Sequence, residues 1–151
     1  FSIAALATLP HLFWKPDVII CNDWQNATVP MIYNQVYRSR EFYEDIKTVL
    51  IVHNFDEHCT YDRSVYDKIG VSIPKKITGD KVNCYEAAAD DVDLIISLDS
   101  PSNNITKKLL DLPLVKSNKK KLISIKIEDG EDPSFDNTAL KINDELAKHF
   151  A

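Results

Sequence analysis

The chain has 151 residues, 44% of them hydrophobic and 27% charged, enough for one domain with a real core and too few for two. A net charge of −5 and a pI near 5.3 argue against a nucleic-acid or anionic-membrane surface. No apolar run approaches membrane-spanning length, no signal peptide is visible, and with only three glycines neither a P-loop nor G-x-G-x-x-G occurs.

In chain order, Ile3, Leu6, Leu9, Leu12 and Phe13 recur at helical spacing and predict a helix over Ser2–Phe13, ended or kinked by Pro10. Val18 to Cys21 is an unbroken apolar run, entered through Pro16, and reads as a central strand buried on both faces of a parallel sheet. A helix over about 25–37 follows, then a charged and aromatic connection over Arg38–Tyr43. Lys47–Val52 is a second buried strand, giving a β-α-β unit. Phe55–Ile77 reads as a long loop with a short helix near Ser64–Ile69, and a helix is expected over about Lys81–Asp90. Leu94–Leu98 is a third strand, and Ser102 is the expected N-cap of a helix to about Asp111. Pro113 and Lys116–Lys121 read as a solvated turn before a final strand, Leu122–Ile127. Thr138 is expected to cap a terminal helix that buries Leu140, Ile142, Leu146 and Phe150. Together these elements predict one Rossmann-like α/β sandwich over 1–151 with a mainly parallel sheet.

Both early strands end in polar residues. Asn22-Asp23-Trp24 closes the first and His53-Asn54 the second, at the edge where open α/β sheets place their ligands. Asp23, His53 and Asn54 are therefore the candidate site residues, a carboxylate, an imidazole and an amide able to make directional hydrogen bonds to hydroxyls. The competing roles are a helix-capping turn carboxylate for Asp23 and a backbone-bonding imidazole for His53. Trp24 reads as packing. His53, Asp56, His58 and Cys59 are too crowded for a zinc site, so no metal or cofactor is expected. Cys21, Cys59 and Cys84 are odd in number, lack C-x-x-C spacing and read as reduced thiols of a cytoplasmic or similarly reducing compartment. Two glycosylation sequons, at Asn26 and Asn104, read as chance matches.

Lys15-Pro16-Asp17-Val18-Ile19 with Cys21-Asn22-Asp23-Trp24 resembles the KPD…N/H-D-W stretch of bacterial-type glycogen and starch synthases. Lys47-Thr48-Val49 through His53-Asn54 is similar to that family's KT…H-N stretch, at matching spacing. Ala89-Asp90 and the strand after it resemble its AD-x-V element, and Asp129-Gly130-Glu131-Asp132 with Phe135 is a weaker echo of its NGID…W turn. The resemblance implies half of a GT-B glucosyltransferase that moves glucose from ADP-glucose to an α-1,4-glucan, this part being the acceptor side. It implies that Asp23 orients sugar hydroxyls and that His53 contacts the transferred glucose. The family's Lys-x-Gly-Gly loop and donor domain have no counterpart in these 151 residues. Ala-Tyr-Gln-Gly is replaced by Phe55-Asp56-Glu57-His58, and Val-Ser-Pro by Leu98-Asp99-Ser100. As an isolated chain it is expected to be inactive. The alternative is a degenerate, non-catalytic scaffold subunit bound to other protein chains.

Overall fold

The computed structural model describes residues 1–128 and 135–150. Helix α1 (Ser2–Thr8) leads into strand β1 (Val18–Asn22), short helices α2 (Asp23–Asn26) and α3 (Thr28–Ile32), and strand β2 (Lys47–Val52). Strand β3 (Thr60–Asp62), helix α4 (Arg63–Lys68), strand β4 (Lys81–Asn83) and helix α5 (Cys84–Ala88) follow. Strand β5 (Leu94–Asp99), helices α6 (Ile105–Leu110) and α7 (Pro113–Ser117), strand β6 (Leu122–Lys126) and helix α8 (Phe135–Phe150) complete the described elements.

Four strands form an all-parallel sheet in the order β1-β2-β5-β6, and β3 pairs antiparallel with β4 beside it. The expected parallel α/β sandwich is the fold observed. Alternation along β2 explains its layers. Leu50 and Val52 enter one core with Met31, Ile32, Tyr85, Ala88 and Leu109, while Val49 and Ile51 enter the other with Leu94, Ile96 and Ile125. Partly buried Ile142, Leu146 and Phe150 of α8 cover that second face. Buried hydroxyls tie the connections: Tyr33 donates to the carbonyls of Tyr43 and Ile46, and Tyr43 donates to that of Leu6. At the end of α4, Gly70 takes φ +75°, the left-handed cap that glycine adopts without a Cβ penalty.

Several expectations are corrected. β1 is an edge strand of the described sheet rather than a central one, so Ile19 is only partly buried and Ile20 is 44% exposed. The first helix ends at Thr8, and a single 3₁₀ turn carries Pro10 at its start. The second helix is broken, with Tyr33–Tyr37 closing it in a wider π-type turn. Lys81–Asn83 pairs across to Thr60–Asp62 instead of opening a helix, because Asn83, not an earlier residue, caps α5 by accepting from Tyr85 and Glu86 N–H. Asn104 rather than Ser102 caps α6, accepting from Lys107 N at 2.8 Å. Pro113 starts α7, its missing N–H falling where no intrahelical partner exists. α8 starts at Phe135, and Leu140 is 64% exposed. The Asp129–Asp132 turn lies outside the described residues.

Candidate functional site

β1 and β2 run parallel with Asn22 opposite Ile51, which brings the residues just beyond each strand to one sheet edge. Asp23 and His53 therefore meet, as do Asp23 and Asn54. The chain turns sharply out of β1, with Asp23 at φ +56°, a left-handed conformation that aspartate tolerates better than most residues. That strain is held by hydrogen bonds. Oδ1 of Asp23 accepts from His53 N at 3.1 Å, Asn54 N at 3.0 Å and the Tyr85 hydroxyl at 3.0 Å. Oδ2 lies 3.1 Å from His53 Nε2.

The carboxylate is thus a bracket between three segments rather than a cap for its own helix. The Asp23 side chain is 5% exposed, whereas that of His53 is 52% exposed. A buried acceptor holds a half-exposed imidazole by one nitrogen, and Nδ1 has no hydrogen bond among the described residues. Asn54 joins through its main chain: its N–H goes to Asp23, and its carbonyl faces the Tyr85 hydroxyl at 2.9 Å. Its side chain is exposed. Tyr85 has one proton for two acceptors, the Asp23 carboxylate and the Asn54 carbonyl. Burial, and after it the Asp23 charge, push its phenol far up, so it stays a donor at every ordinary pH.

Aromatic rings back the turn. Trp24 packs against His58 at 5.8 Å and Tyr61 at 6.5 Å between centroids, and the Tyr61 hydroxyl donates to the Trp24 carbonyl. Asp56 accepts from His58 N at 2.8 Å and lies 3.9 Å from the Cys59 thiol. Among the described residues no group of three or more His, Cys, Asp or Glu side chains could hold a metal ion. Tyr85 is the member that sequence reasoning missed. It is 62 positions from Asp23, and no local pattern marks it.

This is a Rossmann-like parallel α/β layer, half of a GT-B fold, with a polar cluster at the carboxyl ends of its strands. The family of starch synthase catalytic domains matches residues 1–101, and the chain belongs to that family. It is 35% identical over 101 residues to a glycogen synthase of Chlorobium phaeobacteroides, covering 63% of this chain and 20% of that protein. A glycogen synthase of Lachnospira eligens is 37% identical over 89 residues, covering 58% and 18%. The chain thus spans about one fifth of the length of these relatives. Among solved structures, the catalytic domain of starch synthase IV from Arabidopsis thaliana, bound to ADP and acarbose, superposes with a TM-score of 0.66 at 24% identity. That match covers 82% of this chain and 28% of the other, and it agrees with the fold.

Proposed function

We propose that the chain is one Rossmann-like domain supplying the acceptor-side wall of a starch or glycogen synthase-like cleft, with Asp23, His53 and Asn54 as its sugar-binding end. The reading is carried by the bracket at Asp23. A carboxylate almost wholly buried fixes an imidazole that keeps one nitrogen for a ligand, at the edge where such sheets bind ligands. With Nε2–H donating to the Asp23 carboxylate, Nδ1 of a neutral imidazole accepts from a hydroxyl, which suits a glucose unit of an α-1,4-glucan. The half-exposed ring gives room for a sugar, and the backing by Trp24 and Tyr61 keeps the turn from yielding.

The test is an NMR titration of the chain with maltooligosaccharides, following His53 and Asn54. Saturable shifts at His53 that vanish in His53→Ala, in a variant that keeps its other resonances, support the reading. Shifts elsewhere only, or none at millimolar sugar, overturn it.

A non-catalytic scaffold subunit is the second reading, favoured by one observation. Beside the β1 edge, which is unpaired among the described residues, Phe1, Trp14 and Ile20 stand 90%, 61% and 44% exposed around an apolar cleft of about 340 Å³. That surface suits another protein better than it suits a sugar.

A further inference from the structure

The antiparallel register of β3 and β4 sets Thr60 opposite Asn83, Tyr61 opposite Val82 and Asp62 opposite Lys81. The residues that flank this register are both cysteines: Cys59 ends the 3₁₀ turn before β3, and Cys84 opens α5 after β4. Burial places them together. Tyr61 and Val82 join the core, Asp62 and Lys81 form a solvent-side ion pair at 2.8 Å, and both cysteines are 0% exposed in the same core. Their chain neighbours Thr60 and Asn83 are an opposed pair, with Cα atoms about 4.5–5.5 Å apart in such a ladder, so both cysteines leave it from within the roughly 4.4–6.8 Å that a disulfide spans. Both thiols are free in this structure, and burial pushes each of them up.

We propose that Cys59 and Cys84 form a redox-sensitive pair, closing to an intramolecular disulfide by exchange with a low-molecular-weight disulfide. One cysteine thiolate attacks the S–S bond of the small molecule, leaving a mixed disulfide and one small thiolate that takes up a proton. The other cysteine gives up its proton and attacks the protein sulfur of that mixed disulfide, expelling the second small thiol. Two protein S–H bonds and one small-molecule S–S bond break; one protein S–S bond and two small-molecule S–H bonds form. The protein loses two electrons and two protons, and the small disulfide gains them.

Buried thiols with raised pKa values exchange slowly from the closed fold. Exchange therefore runs through opening of β3–β4, a ladder of three residues per strand that is marginal by itself. The bridge acts on the candidate site without depending on what the site binds. Cys59 Sγ lies 3.9 Å from the Asn54 carbonyl, and Cys84 immediately precedes Tyr85, whose hydroxyl meets Asp23 and the same carbonyl. A disulfide there pins the 54–59 segment to the first turn of α5, fixing two arms of the Asp23 bracket to each other.

The purified chain is incubated with oxidised glutathione, with and without low urea, quenched by alkylation and mapped by peptide mass. The expected product is a Cys59–Cys84 cross-linked peptide pair, lighter by two hydrogens than the reduced pair and lost on adding dithiothreitol. It should form faster in low urea, with Cys21 left as a thiol. The oxidised chain should melt roughly 5–10 °C higher than the reduced one, a shift absent from Cys59→Ser and Cys84→Ser. The wild-type map decides the matter even where a serine variant does not fold. A bridge that includes Cys21, glutathione retained on either cysteine, or both thiols still alkylated after oxidation in low urea would each overturn the pairing.

Discussion

At the residue scale the fold turns on Asp23. Two backbone N–H groups and the Tyr85 hydroxyl converge on Oδ1, so Asp23→Ala strands the His53 and Asn54 N–H groups and leaves the Tyr85 hydroxyl only the Asn54 carbonyl. A loss of about 2–3 kcal/mol is expected in urea titrations, against about 1 kcal/mol for Tyr85→Phe, which removes only one donor. Because both changes cut the same bracket, the double variant should fall short of their sum by about 0.5 kcal/mol or more; strict additivity would mean that the bracket does not act as a unit. Asp23 and His53 were legible in the sequence because each ends an apolar run, a local signal. Tyr85 was not, because its role is set by where α5 docks. Asn54 was found by its position, yet it acts through its main chain, which no side-chain pattern reports.

Asp99 gives the same scale a pH signature. Burial pushes its carboxyl up, but hydrogen bonds from Ser124, the Thr106 hydroxyl and Thr106 N–H outweigh that, and its pKa sits below the ordinary value. A carboxylate depressed by folding adds stability that is fully present above its unfolded pKa, about 3.9, and is lost as pH falls through the folded value. Asp99→Asn should therefore flatten the decline of stability below about pH 4, read as urea midpoints between pH 5 and 3. A decline as steep as in the unaltered chain would show that Asp99 is not its source.

At the element scale, β2 and β1 share an apolar sequence but not an environment. Ile51 of β2 is 5% exposed between two neighbouring strands, while Ile20 of edge strand β1 is 44% exposed. Ile51→Ala should cost about 2–5 kcal/mol as a core truncation, and Ile20→Ala about 0.5 kcal/mol or less. Equal losses in denaturant titrations would place β1 inside a larger sheet. Sequence pattern could not separate the two, because an apolar run states what a strand can bury and not whether a neighbour is there. The parallel strands were legible because their runs are continuous and bounded by polar turns. β3 and β4 were not, because Thr60–Asp62 and Lys81–Asn83 are short, polar on one face and paired only across an intervening helix. α7 was hidden by the lysine-rich stretch that begins at Lys116, which is exposed while Leu114 and Val115 are buried.

At the scale of the whole molecule, the described residues form a four-stranded parallel sheet beside a two-stranded antiparallel one, with the candidate site at the carboxyl ends of β1 and β2. Moving glucose from ADP-glucose requires the departing diphosphate to be stabilised by positioned cations and backbone donors. Within these 151 residues the three glycines, Gly70, Gly79 and Gly130, are too scattered to form a phosphate-cradling loop, and the net charge is −5. Asp23 adds a buried acceptor at the site, where a diphosphate needs donors. The His53 side chain is 52% exposed, and water against it weakens every electrostatic contact it could make with a transition state. The isolated chain is therefore expected to hold a sugar without transferring it. A radiolabelled glucan assay with ADP-glucose should show no incorporation above background, and calorimetry should show no binding of ADP-glucose at micromolar concentration. Incorporation that disappears in His53→Ala would mean that this wall alone carries the chemistry, and would reverse that expectation.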